Sequence, residues 1–594
     1  MSRPRIPRGA SCAATLALLL APASAGTLYV NANLATGAND GSSWSSAFRG
    51  VDALANALAV ASAGDEVWVA RGTYEPTAGA DRSRSFVLAS QVSVYGGFAG
   101  NETVLAQRNV ASNPTILSGD LAGDDGSGGF GDNSYHVVIA AAFTSGAVLD
   151  GFTLQGGRAV GVAVADQKGG GLSLATTSNT TLRNLRLRAN HAHFGGGAYV
   201  VSSSAHFERC RFEDDTALTS GGGLFVDGGS NVDVVGSVFL RNSAERAGAL
   251  VATTALASAP TSVTLLHCVL ADNVATGSTP VASSAVIADA FCTFGMRQCT
   301  VTENLAPNAN TAAIQAYSSP STATITSSIV HSNTAIGGLE APSNQVGNTV
   351  VTYSCVQGGF AGVGNVGSAP LFVDAAQGNL RLLPGSPCID AGDTAGLPAI
   401  ATTDLDGAAR RFDDVATPDT GSGAAPIVDM GAYEFQGTGS IQTICPGDGS
   451  LIPCRCGNDG SPGSGCGNSL FADGARLGAS GIPNVSYDSV VLTVNRVVGS
   501  TVLFFQGTAE LPPVVVDDGI GCIGGSIVRL GTTLVASNAS AYPGPGDLPI
   551  SVRGALPAFG GTYVYQCFYR NSITIFCPPA TSNRSNGLRI TWAP

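Results

Sequence analysis

The sequence predicts an all-β chain: a parallel β-helix solenoid with an N-terminal helical cap, followed by a small, cysteine-containing antiparallel β-sandwich. Three observations lead to the solenoid. Residues 169–335 contain an internal repeat of 25 to 31 residues, its short-range pattern has a period of two, and glycine, at 78 of 594 residues, is spread throughout. Repeats of this length form solenoids, and a period of two indicates strands with one buried face. Helical solenoids are disfavoured because no repeat contains a long 3.6-residue apolar pattern.

The repeats align on an Asn or Asp, which we call the anchor. An apolar residue lies three positions before it and an alanine two positions after it in every unit. The anchors are Asn190, Asp215, Asn242, Asn273, Asn304 and Asn333. Because coils stack about 4.8 Å apart, we expect the anchors to form a structural ladder at a corner. Asn and Asp tolerate the left-handed backbone of such a bend, and stacked amides hydrogen-bond along the axis.

A small residue occupies the inward position five before the anchor, and in three repeats it is cysteine: Cys210, Cys268 and Cys299. Buried cysteine behaves as a small hydrophobic residue, so packing is the first interpretation. A disulfide between Cys268 and Cys299, on neighbouring coils, is the alternative.

The β-helix is predicted over residues 26–437, with capping coils at 26–112. The alanine-rich stretch 51–63 predicts a short amphipathic helix over the first coil. Such a cap is needed because an open solenoid end exposes the core and unpaired strand edges.

A linker around 436–445 leads to a module at 438–594, where strand patterns alternate with Gly/Pro turns as in an antiparallel sandwich. Seven of the chain's 14 cysteines lie after residue 440. In an exported chain this clustering indicates disulfides. Zinc binding by the cysteine run 445–466 is the alternative, disfavoured because no histidine follows His331. Because seven is an odd number, one cysteine of the module is left free or forms a disulfide with a cysteine outside the module. Cys388 is the nearest such partner along the chain.

Residues 1–25 predict a secretory signal peptide, since arginines precede an apolar run that ends in Ala-Ser-Ala. No later segment gives about 20 uninterrupted apolar residues. We therefore expect a secreted or cell-surface protein with no transmembrane segment in the mature chain. The net charge of −13 leaves no broad basic surface, which excludes nucleic acid as a partner.

Three stretches carry a resemblance to known families. The opening TLYVNANLATGANDGSSW and GDEVWVARGTY resemble the pectate-lyase-like, right-handed parallel β-helix proteins of bacterial surfaces. The pairs GGGAYV with FEDD and GGGLFV with FLRN resemble the repeats of polymorphic outer-membrane proteins. SPCIDAGD and VDMGAYEF, in the closing segment 368–437, are similar to the ending that precedes a surface anchor in such proteins. The resemblance implies a right-handed β-helix at or outside the cell surface, although here the cysteine-rich module follows instead of an anchor.

Arg186 and Arg211 hold the same outward position on consecutive coils, and His193 follows nearby. Stacked arginines suit the carboxylate of an acidic sugar, so these three residues are a candidate ligand site.

Cross-strand ion pairs are the alternative explanation of this arginine cluster. Glu208 is expected to stack beside Arg183, and Glu213 beside Arg188. In that case the arginines need no ligand.

A glycine-rich loop at 118–136 concentrates acidic residues. These are Asp120, Asp124, Asp125 and Asp132. Oxygen ligands on a pliable backbone are what Ca²⁺ requires, so we predict a structural calcium site here, with solvated turn acids as the alternative. Residues 403–414 show a similar but poorer pattern. No other cofactor is indicated.

We expect a binding, adhesion or structural role toward a glycan, such as a polysaccharide or cell-surface matrix. The alternative is a polysaccharide lyase or glycoside hydrolase acting on acidic polysaccharide, an analogy from the fold. The sequence lacks the pectin-hydrolase pattern of paired aspartates followed by Gly-His-Gly and Arg-Ile-Lys. Adjacent acids such as Asp413 and Asp414 would point to opposite faces of a strand. No catalytic residue is therefore assigned.

Overall fold

The structure is a computed structural model and describes residues 25–143, 145–277, 283–307, 313–318, 320–334, 346–347, 349–399, 401–572 and 576–594. The predicted signal peptide lies outside these residues apart from Ala25, as does Ala335 of the last repeat.

Parallel strands stack into the predicted β-helix and form three long sheets, A, B and C, with a short sheet D between B and C. Sheet A contains Thr27–Val30, Glu66–Ala70, Ser93–Phe98, Val148–Asp150, Thr180–Arg183, Ser204–Glu208, Asn231–Val235, Thr261–Leu266, Cys292–Arg297, Thr322–Thr326 and Thr349–Thr352. Sheet B contains Gly72–Tyr74, Thr115–Ser118, Thr153–Gln155, Arg186–Arg188, Arg211–Glu213, Val238–Leu240, Val269–Ala271, Thr300–Thr302, Ile329–His331 and Cys355–Val356. Sheet C contains Phe86–Val87, Val138–Phe143, Leu172–Thr177, Ala198–Val201, Leu224–Asp227, Leu250–Ala252, Val286–Ala288, Ile314–Ala316 and Val346–Gly347. Sheet D contains Arg158–Ala159, His191–Phe194, Thr216–Ser220, Ser243–Arg246 and Val274–Ala275.

The register places equivalent residues of successive repeats above one another. Leu187 pairs with Phe212, and Phe212 pairs with Phe239. The two phenyl rings are parallel, with centroids 4.5 Å apart, and both side chains are buried. This column belongs to one apolar core that extends from Val30 to Val356. The predicted solenoid is confirmed, with the position three before each anchor turned inward.

The chain bends after sheet B at the residue before each anchor, and not at the anchor as the sequence had suggested. The bend residues are Ala189, Asp214, Arg241, Asp272, Glu303 and Ser332, with φ between 51° and 59°. Because the preceding residue makes the turn, the anchor side chain is directed into the corner, where it contacts the neighbouring coils.

The anchors form a hydrogen-bonded ladder in this corner, and all of them are buried. The backbone N–H and the side-chain amide of Asn242 donate to Asn273 Oδ1 at 3.0 and 2.9 Å. Asn273 makes the same two bonds to Asn304 Oδ1, both 2.9 Å long. The Asn242 amide also donates to Phe212 O, on the preceding coil, at 2.9 Å. The asparagines from Asn190 to Asn304 thus satisfy their buried polar groups on the coils before and after them.

Asp215 is the one acidic anchor. Its Oδ1 accepts hydrogen bonds from the backbone N–H and the side-chain amide of Asn190 at 2.9 and 3.0 Å. Its Oδ2 is buried without a hydrogen-bond partner, whereas an asparagine carries a donating amide at this position. Burial raises the pKa of the Asp215 carboxyl well above its usual range, because a buried carboxylate is poorly solvated.

A helix covers the N-terminal end of the stack, as predicted. It spans Ala53–Val60, and Ala53, Leu54, Ala57 and Leu58 are buried in the β-helix core. In the described residues, 3₁₀ turns occur at Trp44–Ser46, Leu105–Gln107, Asp125–Ser127, Val164–Gln167, Ala375–Gln377 and Val485–Tyr487. Within the described residues, no helix has the length and apolar character needed to cross a bilayer.

The closing segment 368–437 folds back over the outer face of sheet B. It includes the antiparallel strands Phe372–Asp374 and Asn379–Leu382. Leu380 and Ala432 pack on Val269 and Ala271 of sheet B. The backbone N–H of Ala432 also donates to Thr300 Oγ1 at 3.1 Å.

Antiparallel sheets follow the closing segment and pack face to face. One contains Ser440–Ile444, Thr501–Val516, Gly519–Leu534, Gly561–Arg570, Ser582–Arg584 and Gly587–Trp592. The other contains Arg476–Ser480, Val491–Asn495 and Ala539–Tyr542, and a short helix spans Ile550–Arg553. Leu492 and Val494 of the smaller sheet share a core with Phe504 and Tyr565 of the larger one. This arrangement is the predicted sandwich.

Disulfides stabilise this module, as its cysteine content predicted. In the described part of the chain they join Cys445 to Cys522, Cys454 to Cys466 and Cys456 to Cys577. The run 445–466 is thus oxidised and does not have the free thiolates that zinc would need.

The remaining cysteines of the described chain are free and buried, including Cys567 and Cys388. Cys268 and Cys299 form no disulfide, and the backbone N–H of Cys268 donates to Cys299 Sγ at 3.3 Å. The packing interpretation of the inward cysteines is therefore the one that the structure supports.

Asp215→Asn should stabilise the protein at neutral pH by about 1–3 kcal/mol, because the amide supplies the missing donor. The folded protein keeps its proton on Asp215 to higher pH than the unfolded chain, so the wild type loses stability as the pH rises above the usual aspartate value of 3.8. The stabilisation by Asp215→Asn should therefore be small at acidic pH and should increase toward neutral pH. It is measured as the difference in melting temperature from the wild type by circular dichroism. The reciprocal Asn242→Asp should destabilise increasingly over the same range. A lower melting temperature for Asp215→Asn at neutral pH would contradict the assignment.

Gly196→Ala should lower the free energy of unfolding by about 1–3 kcal/mol. A Cβ at Gly196 would lie 2.5 Å from Thr216 O and 2.6 Å from Gly222 O, and backbone atoms of neighbouring coils cannot move aside. Gly295→Ala is the control, because its Cβ would meet only Thr264 Cγ2 at 3.7 Å. The two variants are compared by the midpoints of their urea unfolding curves. Equal midpoints would show that the close approach of neighbouring coils does not require glycine at position 196.

Candidate functional site

A groove runs along the outer face of sheet A, between strands Ser204–Glu208 and Thr322–Thr326. The register lines up two rows of outward side chains on its floor. The first row is His206, Asp233, Thr264, Gly295 and Thr324, and the second is Glu208, Val235, Leu266, Arg297 and Thr326. Four strand steps of about 4.8 Å make the groove about 19 Å long. Such a floor suits a ligand that is extended along the β-helix axis.

The closing segment forms one wall of this groove. Pro398 borders a cavity of about 420 Å³ over the Asp233, Thr264 and Gly295 positions. Ala401 and residues 403–407 border an adjoining cavity, also of about 420 Å³. His206, Val235 and Leu266 line both cavities. The two cavities therefore form one continuous groove.

The wall is fastened to the corner between sheets A and B. Arg297 Nη1 lies 3.3 Å from Asp393 Oδ2. The backbone N–H of Asp393 donates to Ser327 Oγ at 2.7 Å, and that of Gly431 donates to Ser327 O at 2.9 Å. These bonds fix the closing segment to successive coils and set the width of the groove.

A fully buried arginine supports the wall from beneath. Arg410 donates from Nη2 to the carbonyls of Asp429 and Gly431 at 3.0 and 2.7 Å. Its Nε lies 3.6 Å from Glu434 Oε2, and both side chains are 0% exposed. Arg410 therefore holds together the turns that carry the wall.

The groove has mixed charge. Asp233 accepts a hydrogen bond from Thr264 Oγ1, and Glu208 pairs with Arg209 at 2.8 Å. Burial raises the pKa of the Asp404 carboxyl, against the opposing hydrogen bonds from the backbone of Glu434 and Ala408. Hydroxyl, imidazole and carboxylate groups thus line the floor, and Arg297 is already paired with an acid. This lining suits hydrogen bonding to an uncharged, hydroxyl-rich ligand better than capture of a polyanion.

The predicted arginine pair lies elsewhere, on sheet B. Arg186 and Arg211 are in register, and both guanidinium groups bind the carboxylate of Glu213. Glu213 is buried, and burial alone would raise its pKa, but the two arginines outweigh this effect and the pKa lies below its usual value. The arginines of this cluster are therefore held in ion pairs, as the alternative explanation expected. The partners differ from those expected, because Glu213 pairs with Arg186 and Arg211 and not with Arg188.

Other parts of that candidate site are separated. Arg183 and Glu208 form the expected cross-strand pair, with Nε and Oε2 3.3 Å apart. His193 lies on sheet D, beyond the anchor corner. In the described chain no hydrogen bond or ion pair joins His193 to Arg186 or Arg211.

The acidic loop brings three of its four predicted aspartates together. Carboxylate oxygens of Asp120, Asp124 and Asp132 lie within 4.8 Å of one another. Asp120 Oδ1 already accepts the backbone N–H of Gly123 at 2.8 Å. Asp125 is held apart by Asn133, whose amide donates to it at 3.1 Å. The calcium site at this loop stays a prediction.

No single sequence motif marks the groove. His206, Asp233 and Thr264 each lie nine positions before an anchor, so extending the repeat alignment toward the N-terminus would have put them in one row. Their residue types differ, and the wall comes from a distant segment, so the alignment alone gives no reason to choose this row.

One comparison with known proteins, a family model, agrees with the architecture. The family described as "Right handed beta helix region" matches residues 132–375. No curated protein matches the chain. Among solved structures, the crystal structure of pectate lyase Pel9A is similar at 13% identity and a TM-score of 0.36, over 69% of this chain and 96% of that chain. A likeness this weak carries no conclusion about fold or activity. The family match and the parallel register give residues 132–375 as a right-handed parallel β-helix.

Proposed function

We propose that this chain is an exported surface or extracellular protein that binds an extended glycan in the sheet A groove. The observation that carries the proposal is the pair of in-register rows on the groove floor. A polymer aligned with the axis meets outward side chains at the same spacing on each coil, and a row containing Thr264 and Thr324 offers its sugars hydroxyl partners.

The charge of the groove favours a neutral or weakly charged glycan. Asp233, Glu208 and Asp404 line it, while the chain carries a net charge of −13. An acidic polysaccharide would meet like charge here, and the arginines that line the groove, Arg297 and Arg209, are paired with Asp393 and Glu208.

The C-terminal module supports export and gives the protein a second functional part. Its disulfides are typical of proteins outside the cytosol. We propose that it serves attachment, sorting or carbohydrate binding while the β-helix presents the groove.

Gly295→Tyr should weaken glycan binding at least tenfold, because the new ring would fill the centre of the groove. A Cβ at Gly295 has its nearest neighbour, Thr264 Cγ2, at 3.7 Å, so the backbone need not move. Binding is measured by affinity electrophoresis and calorimetry against neutral and uronate-containing polysaccharides. We expect binding to a neutral member of this panel.

Gly79→Tyr is the matched control. Its Cβ also has a nearest neighbour at 3.7 Å, Thr77 Oγ1, in an exposed loop far from sheet A's groove floor. It should bind like the wild type. Equal binding by Gly295→Tyr and Gly79→Tyr, or binding only to uronates, would count against the proposed site and ligand.

A polysaccharide lyase acting in the same groove is the second candidate. His206 and Asp233 are register neighbours on one outward face, which meets the requirement that acid and base groups share a face. Arg297 lies on the same floor, in the neighbouring row and two strands from Asp233, but its pairing with Asp393 weakens its use as a cation for substrate.

Incubation with uronate-containing polysaccharides, with and without Ca²⁺, should give no new unsaturated chain ends by ultraviolet absorbance. This result is expected if the groove binds polysaccharide without cleaving it. Product formation that His206→Ala abolishes, and that Gly79→Tyr leaves intact, would reverse the choice in favour of the lyase.

A further inference from the structure

A second acidic cluster lies in the closing segment, outside the groove. Carboxylate oxygens of Asp390, Asp413 and Asp419 lie within 4.8 Å of one another. Asp413 and Asp419 are exposed, whereas Asp390 is 0% exposed. The cluster is thus open to solvent on one side and reaches into the protein on the other.

The buried carboxylate of Asp390 has no adequate partner. Both of its oxygens are buried without a hydrogen bond of normal geometry, although the nearby backbone N–H of Asp414 favours its charged form. Its main chain is fully used: its N–H donates to Asp429 Oδ1 at 2.8 Å, and its carbonyl accepts from Thr420 N at 2.9 Å. Burial of an unpaired carboxylate costs several kcal/mol, so a compensating group is expected.

Among the described residues, no cationic side chain forms a hydrogen bond or ion pair with Asp390. Behind Asp390 lie two further buried acids, Asp429 and Glu434. The buried cation among them, Arg410, is engaged by Glu434 and by backbone carbonyls. Burial, with Asp419 and Asp413 close by, raises the pKa of Asp390 to about 7.

The loop that carries the two exposed aspartates has a defined conformation. The backbone N–H and the hydroxyl of Thr417 bind Asp414, at 2.7 Å to its carbonyl and 2.8 Å to Oδ2. Ser422 N donates to Gly392 O at 2.9 Å, and Gly421 N donates to Asp390 O at 3.1 Å. Main-chain bonds therefore fix the backbone on either side of Asp419, and the residue after Asp413, beside Asp390.

We propose that Asp390, Asp413 and Asp419 bind a Ca²⁺ ion that joins two turns of the closing segment. Oxygens bound to one Ca²⁺ at up to 2.6 Å can lie as much as about 5.2 Å apart, which accommodates the separation here. Three carboxylates give only part of the six to eight ligands that Ca²⁺ takes, and the exposed side leaves room for water. The ion would supply the positive charge that the buried carboxylate of Asp390 has no other partner for. It would also stiffen the segment that forms the wall of the groove.

Hydrogen exchange of the full mature chain tests the site, with Ca²⁺ compared against EGTA. Extracellular calcium sites bind on the order of 0.1–1 mM, so Ca²⁺ at about ten times the dissociation constant should slow exchange roughly tenfold. We expect this protection in residues 388–394 and 413–422. Mg²⁺ at the same concentration should give little protection, because it requires a smaller, regular octahedral site.

The variants separate this site from the acidic loop near the N-terminus. Asp413→Asn and Asp419→Asn change exposed side chains and should fold normally, yet each should abolish the protection. Asp132→Asn, the same substitution in the other acidic cluster, should keep it. Unchanged exchange in Ca²⁺ and EGTA, equal protection by Mg²⁺, or protection that survives in Asp413→Asn would overturn the proposal.

Discussion

The structure depends on the register in which one coil lies on the next. The ladder asparagines from Asn190 to Asn304 donate to the coil after them and to a carbonyl of the coil before them, as Asn242 does with Asn273 and Phe212. A slip of one residue would turn every inward side chain to the surface and would leave these amides unpaired in the core, at a cost of about 1–3 kcal/mol for each group. The ladder and the apolar column therefore select the same alignment.

The same register produces the candidate site. Phe207 and Val234 are directed inward. Because successive side chains of a strand point to opposite faces, His206 and Asp233, the residues before them, face outward and lie side by side on neighbouring strands. Without the closing segment, the two rows of side chains on sheet A would lie on an open sheet surface. The closing segment folds back beside them and forms one wall of the groove. Arg410 and the acids around it hold this wall, so the groove depends on buried polar contacts as well as on the solenoid.

The features that follow from local pattern could be predicted from the sequence, and those that depend on distant contacts could not. The stacking of Phe212 on Phe239 follows from alternation and repeat length. The left-handed bend lies one residue earlier than expected, at Asp214 instead of Asp215, because the anchor's hydrogen bonds to both neighbouring coils decide its conformation. The fold-back of residues 368–437 brings Asp393 to Arg297 across a long stretch of chain, and no periodicity carries that information. For the same reason Asp390 and Asp419 could not be grouped beforehand.

The distribution of thiols bears on how the chain matures. Cys210, Cys268 and Cys299 are enclosed in the solenoid core, and burial raises the pKa of the Cys210 thiol to about 12. Attack on a disulfide requires a thiolate, so a coil that has already formed removes its sulfur from exchange. If the coils fold before the module is oxidised, disulfide formation is restricted to the module's own sulfurs, which favours correct cross-linking.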